Sequence, residues 1–245
     1  MSRRGGSSYT LRSHDRKCLH RSATLSGAGV NTYTSPQYTW KNVQLNSYDP
    51  FSLIYDPAIS WLYRKHRAYA AHSLRLDPGS HVLVPGCGTG LDFEFLSPAV
   101  GPEGRVVGID LSRGMLKRAE HRVRRKHWQN VQLKEGNARE LDSMDLPPFD
   151  RILFFLTLSV LPDWHSIFMK AWERLEDGGR CAIFDVHASR RVPQSWIVES
   201  VARADVSRRT WEPLLELAPD ARHEQIAGSP HIHGGDLHFC VGTKG

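Results

Sequence analysis

An α/β architecture, a largely parallel sheet covered by helices on both faces, follows from two features of the chain beyond Tyr48. Short aliphatic runs alternate with helix-length amphipathic segments, and turns bearing Gly or Pro separate them. Strands linked through helices of this length must pair in parallel with right-handed crossovers, because antiparallel neighbours would need only short turns. A length of 245 residues with 40% hydrophobic side chains is enough for one buried core. A single domain is therefore expected over residues 46–245, preceded by a basic, flexible extension over residues 1–45.

The elements follow in order. Ala58 to Leu74 reads as the first helix, with Ile59, Leu62, Tyr63, Tyr69 and Ala70 available for a buried side. Asp77-Pro78-Gly79 stops it, and His81 to Val84 is a strand ending in Pro85. A short helix near Asp92 to Leu96 and a turn at Gly101 to Gly104 lead to a second strand, Arg105 to Ile109. Ser112 then caps a charged helix that runs through Lys126. Asn130 to Lys134 and Arg151 to Leu156 are the third and fourth strands, and the helix between Asp163 and Leu175 closes at Gly178-Gly179. Arg180 to Val186 is the fifth strand. A helical region from Gln194 to Leu217 and late strands near Glu224 and at Leu237 to Val241 complete the chain.

Composition excludes several classes. The longest uncharged apolar stretch, Ile152 to Pro162, falls short of the roughly 20 residues a membrane-spanning helix needs. Cys18, Cys87, Cys181 and Cys240 are far apart and form no CxxC pair, which argues against a disulfide scaffold or a cysteine zinc site and for a reducing, cytoplasmic compartment. The net charge of +6 lies entirely in residues 1–48, which hold seven Lys or Arg and one acid, Asp15. The remainder is formally neutral, so no nucleic-acid partner is expected, although such an arm can touch an anionic membrane surface. Its Arg and Ser content also suits an organellar transit peptide.

Chemistry is expected at the carboxyl ends of the strands, after Val84, Ile109, Leu156 and Asp185. The first strand runs into Pro85-Gly86-Cys87-Gly88-Thr89-Gly90, whose alternate glycines let the backbone turn sharply and approach a ligand with no Cβ between them. Asp110 ends the next strand, 20 residues beyond Gly90, where a carboxylate can accept from both hydroxyls of a ribose. An adenosine-containing cofactor is implied. The dinucleotide pattern G-x-G-x-x-G fails because Leu91 stands where its last glycine would fall, and no Gly-Lys-Ser/Thr follows, so a nucleoside without phosphates fits better.

On these residues the chain resembles the class I S-adenosylmethionine-dependent methyltransferases, near their quinone and phospholipid branch. The matching motifs are Val82 to Gly90, Val106 to Ser112 with Met115, Gly136-Asn137-Ala138, Phe149-Asp150 and Leu175 to Arg180. The resemblance implies a Rossmann-like doubly wound sheet of seven strands with the last one antiparallel, and S-adenosylmethionine as cofactor. It implies that Pro85, Gly86, Cys87, Gly88 and Gly90 pack against the methionine part, Asp110 holds the ribose, and Leu111 and Met115 line the adenine. Asn137 and Ala138 would read the adenine edge, with Leu156 and Tyr55 also at the cofactor. Relatives usually carry Asp at the place of Asn137, and an acid near Val84, so Asp92 or backbone carbonyls are expected to hold the cofactor's amino group.

The acceptor is read from the rim. Tyr48-Asp49-Pro50 and Tyr55-Asp56-Pro57 resemble the entry segments of quinone and phospholipid N-methyltransferases, which makes Tyr48 and Tyr55 lid candidates and Tyr48 a candidate catalytic residue. Phe154 to Trp164 is apolar and lacks an Asn-Pro-Pro-Tyr motif, which disfavours nucleobases, and Leu158 to Trp164 resembles lipid-amine methyltransferases. His187, at the end of strand five, is the candidate general base. A small molecule or lipid head group is expected, an amine ahead of a quinone ring. A thiol or halide acceptor, suggested by Val84 to Gly88, and a catalytically silent cofactor-binding module are the alternatives. His231, His233 and His238 lack a completing ligand, so no metal is expected.

Overall fold

The computed structural model describes residues 49–190, 192–226 and 230–245, with side chains from Trp61 onward except Val201. The basic arm and Tyr48 lie outside the described residues.

Helix α1 spans Asp49–Ser73 and begins nine residues before the start the pattern suggests, so Tyr55-Asp56-Pro57 lies inside it and does not precede it. Pro50 sits in the first turn, where no backbone bond is lost, while Pro57 forgoes one bond to the preceding turn. The far end of α1 is fastened by two strand-opening arginines. Arg151 donates to the carbonyls of Leu74 and Arg75 at 2.8 and 2.9 Å, and Arg180 donates to that of Ser73 at 2.8 Å. These tie the helix to the amino ends of the strands. Ten residues earlier, buried Tyr63 packs edge-on against Phe155 and Phe184, so the first turns of α1 project toward the carboxyl ends.

The strands are β1 (His81–Pro85), β2 (Arg105–Asp110), β3 (Val131–Glu135), β4 (Phe149–Phe155), β5 (Leu175–His187), β6 (Arg222–Ile226) and β7 (Asp236–Thr243). They form one seven-stranded sheet in the order β3-β2-β1-β4-β5-β7-β6. β1 pairs in parallel with both β2 and β4, which makes its carboxyl end the point where the winding reverses. β7 is antiparallel to β5 and β6. The fold is the α/β Rossmann-like one expected, with the chain's last strand antiparallel.

Alternation along the strands splits the core in two. Val82, Val84 and Val106 face α1, α2 (Phe93–Val100) and α3 (Arg113–Lys126), while Leu83, Val107 and Ile152 face α4 (Trp164–Glu173) and α6 (Glu212–Leu217). Ser112 caps α3 as expected, accepting from the Met115 N–H at 3.3 Å. Elsewhere the boundaries move. α4 ends at Glu173 and Gly178-Gly179 belong to β5. The region from Gln194 to Leu217 divides into α5 (Pro193–Val201) and α6, separated by a loop that carries Val206 and Thr210 inward. His231 and His233 do not share a strand face; they fall in a four-residue helix, α7 (Pro230–His233).

Candidate active site at the carboxyl ends of the strands

The loop after β1 is held from below and from the side. Cys87 donates its N–H to the Ile109 carbonyl at 3.0 Å, and its buried side chain packs against the space left by Gly108. Gly86, Gly88 and Gly90 have φ of +64°, +55° and +73°, the left-handed region that glycine enters without strain. They do different work. A Cβ on Gly86 would meet Thr157 Cγ2 at 2.5 Å, and one on Gly90 would meet the Phe93 ring at 2.6 Å. At Gly88 nothing lies within 4 Å, so its bare face opens outward. That is the place where a ligand's backbone-hugging end can rest.

Asp110 closes this cradle. Its Oδ2 accepts from the Gly88 N–H at 2.8 Å and its Oδ1 from the Ser112 N–H at 2.9 Å. Each oxygen retains a second lone pair, which is what two ribose hydroxyls require. Burial raises the Asp110 carboxyl above its ordinary range, and the backbone donors oppose that rise. The carboxylate thus orders the loop and presents acceptors in the same act. An adenosine moiety lacking phosphates fits the residues present.

On the far side of β2, Leu111 is 43% exposed while Met115 is partly buried on α3. An exposed leucine at this point is a flat apolar surface for an adenine ring. Asn137 accepts from the Arg139 N–H at 3.1 Å and so caps the short 3-10 turn Ala138–Glu140, with Ala138 buried beneath. Its amide nitrogen stays available for the ring edge. The expected cofactor residues from Pro85 to Ala138 are therefore gathered at the ends of β1, β2 and β3.

Leu156, at the end of β4, has φ of +51° and donates its N–H to Phe184 at 2.7 Å. A branched aliphatic residue in that region is strained, and such strain concentrates at functional turns. Thr157 follows, buried, with its hydroxyl donating to the Phe155 carbonyl at 3.0 Å and to Gly86 at 3.4 Å. Thr157 links the β4 turn to the glycine loop, a contact with no local signal along the chain.

The rest of this turn is fastened from β5. Asp185 accepts from the Ser159 N–H at 2.8 Å and from its hydroxyl at 2.6 Å. Full burial pushes its carboxyl up to about 6, against the pull of those donors. Arg208 adds bonds to the carbonyls of Leu158 and Leu161 at 2.9 and 2.6 Å. Asp92 is also committed, to Arg67 at 2.5 Å, with both side chains buried and the guanidinium 4.2 Å above the Phe155 ring. Asp92 Oδ1 is therefore engaged as the counter-ion of Arg67.

His187 is the last residue of β5 and only 8% exposed. Its ring stands edge-on to Trp211, with centroids 5.3 Å apart. The Tyr55 backbone lies in the overhanging part of α1, and Tyr48 lies outside the described residues. His233 turns to the opposite side of the sheet from His187 and meets the Tyr63 hydroxyl at 2.8 Å.

The methyltransferase domain profile matches residues 76–219, more than half of the chain. The chain belongs to that family, and its domain is of the S-adenosylmethionine-dependent type. Among characterised relatives, the demethylmenaquinone methyltransferase of Listeria welshimeri is 33% identical over 124 residues, 51% of this chain and 52% of that protein. The chain thus spans about half the length of such relatives. The enzyme of the same description from Alkalihalophilus pseudofirmus is 26% identical over 212 residues, 75% of this chain and 87% of that protein. Among solved structures, Haemonchus contortus phosphoethanolamine N-methyltransferase 2 has a TM-score of 0.60 at 16% identity, covering 74% of this chain and 52% of that one. The [4+2]-cyclase SpnF has a TM-score of 0.59 at 15% identity, covering 74% and 80%. These two share the fold.

Proposed function

We propose that this chain transfers a methyl group to a ring carbon of a reduced, lipophilic quinone. The observation that carries the reading is the commitment of three carboxylates around the β1, β2 and β5 ends. Asp110 serves the loop and ribose position, Asp92 neutralises Arg67, and Asp185 holds Ser159. An amine acceptor, the first expectation from the sequence, wants a free carboxylate or an aromatic cage for its cationic form. A neutral ring instead suits an apolar edge such as the partly buried Leu156 side chain at the end of β4. The description of the relatives as demethylmenaquinone methyltransferases supports the same acceptor class.

S-adenosylmethionine, when bound, supplies an electrophilic methyl group. The chain's own contribution is placement and proton removal. Gly86 to Gly90 and Asp110 fix the donor, Leu111, Met115 and Asn137 orient the adenine, and the strained turn at Leu156 shapes that apolar edge. His187 takes the proton that the acceptor's ring hydroxyl loses as the carbon becomes nucleophilic. A lipophilic acceptor partitions into membranes, and a basic arm gains about 1 kcal/mol per Lys or Arg near an anionic surface.

The test is incubation of the purified protein with methyl-labelled donor and, in separate vessels, a demethylated naphthoquinol, phosphoethanolamine, and thiol or iodide with volatile capture. Label on the naphthoquinone ring carbon is expected. Label on nitrogen, or in the volatile trap, would replace the reading. Donor binding without transfer to any acceptor would establish a silent module.

A further inference from the structure

Beside His187 the sheet carries two histidines that the transfer step leaves without a task. His223 on β6 and His238 on β7 lie in one plane within 5°, and Nε2 of His223 is 2.9 Å from Nδ1 of His238. Trp211 covers both like a flat plate, its centroid 4.5 Å from His223 and 4.0 Å from His238. The His187 ring meets this stack nearly at right angles, 5.5 Å from His238. Two ring nitrogens of the group are sealed from solvent with no partner among the described residues: Nδ1 of His187 and Nε2 of His238. Buried polar atoms are seldom left so, and these two belong to neighbouring rings. His223, in contrast, is exposed on the edge strand of the sheet.

The three rings follow one another from the carboxyl end of β5: His187, then His238 at 5.5 Å, then His223 through the Nδ1–Nε2 contact, which ends at an exposed ring. We infer that His238 and His223 form a proton path that returns His187 to its neutral state after each methyl transfer, which rests on the reading of His187 as the acceptor's base.

The step balances. The acceptor carbon forms its bond to the methyl carbon as the methyl–sulfur bond breaks and its electron pair stays on sulfur, and the acceptor's proton goes to Nε2 of His187. The Nδ1 proton of His187 then passes to Nε2 of His238, directly after a ring rotation or through one water. His238 gives up its Nδ1 proton to Nε2 of His223, which releases its own to solvent. The positive charge of the sulfonium leaves as one proton, and each ring, now in the opposite tautomer, returns to its starting one by ring rotation before the next turnover.

The charges around the stack suit passage and not storage. Asp185 on β5 is occupied by Ser159, Glu224 on β6 is bonded to Tyr69, and Arg209 stands ahead of α6. Burial, then the neighbouring histidines and Arg209, lower His238 to about 4. Trp211 excludes water from one face of the pair, which keeps the route single-file.

Two variants test the path: His223→Ala, at its exposed end, and His238→Gln, which keeps a hydrogen bond but cannot pass a proton. With a demethylated naphthoquinol, the first turnover is expected within about twofold of wild type, while steady-state turnover falls on the order of a hundredfold, the low end for groups that move protons. Imidazole buffer restores His223→Ala toward wild type, and donor affinity is unchanged in both. Steady-state rates equal to wild type in both variants overturn the path while leaving the methyl transfer standing. A second readout is independent of turnover: the ¹⁵N resonances of His187 in the donor-free protein. A changed Nδ1 tautomer population or titration in His238→Gln is expected, and identical His187 titrations overturn the path even where wild type fails to methylate the naphthoquinol, a failure that would fall on the acceptor reading alone.

Discussion

The two ends of this sheet edge are built on different principles. At β1 and β2 the site is mostly backbone: three left-handed glycines, a strand-end carboxylate, and bonds among residues 86–112. At β5 and β7 it is side chains brought together from far apart, with His187, Trp211, His223 and His238 each on a different part of the fold. The first arrangement needs only the right residues at the right spacing. The second needs the antiparallel return of β7, which sets Asp185 opposite His238 and Ile226 opposite Leu237. On the proposed reading, a cofactor shared by many reactions lies on a local motif, while acceptor chemistry falls to long-range packing.

The contrast can be broken most forcefully beneath the cofactor end. Asp92→Ala leaves the Arg67 guanidinium buried without its counter-ion, a loss of about 3–5 kcal/mol in urea denaturation. Replacing both partners with apolar residues of similar volume should regain most of that loss, and a single-mutant effect below about 1 kcal/mol would show the pair to be solvated. Next in size is Asp110→Ala. Two charge-assisted bonds at about 1.5–3 kcal/mol each predict donor affinity weaker on the order of a hundredfold or more by calorimetry. Undiminished affinity would remove Asp110 from the cofactor site.

The glycines sharpen the comparison further. Gly86→Ala should cost about 2 kcal/mol, because its φ is +64° and the added methyl strikes Thr157. Gly88→Ala meets nothing within 4 Å and should cost about 1–2 kcal/mol for its left-handed backbone alone, yet it should weaken donor binding because the methyl fills the cradle. Equal donor affinity in wild type and Gly88→Ala would mean that the open face is not where the donor lies.

The smallest effect is in acid. His238 is lowered to about 4 by burial, so its contribution to stability is complete above its ordinary 6.5 and is lost as pH falls through about 4. His66, His223 and His233 are lowered too and act in the same sense. Asp185 acts in the opposite sense. Its carboxyl is raised to about 6, so its contribution is complete below 3.8 and is lost as pH rises through about 6. Between pH 6.5 and 4 the wild type should lose stability in chemical denaturation, His238→Gln should lose less, and Asp185→Asn should lose more. A shallower acid slope in Asp185→Asn would reverse the sign assigned to that carboxyl.

Much of the cofactor end could be read in advance, because glycine periodicity, a strand-end Asp and a capping Ser are local signals. Strand positions came out well for the same reason: short apolar runs between turns are fixed by neighbours along the chain. The early start of α1 was hidden by Pro50 and Pro57, which read as turn formers in isolation. α7 was hidden by its four-residue length. Thr157, Arg67 and Arg208 carried no signal, since a threonine or an arginine becomes a site residue only through the partner it meets.

What the sequence by itself determined is the α/β winding, the crevice at β1 and the class of ligand that fits there, since each depends on backbone conformations that a few residues dictate. What only the tertiary structure decided is which charges remain free. Asp92 was expected to be open to the cofactor's amino group and is engaged by Arg67, Asp185 holds Ser159, and His187, legible as a strand-end histidine, stands beside Trp211 and His238, neighbours that its place in the chain does not reveal. The reason is physical: a carboxylate or imidazole takes its role from the partners that burial imposes on it, and those partners are set by strand order and register, not by distance along the chain.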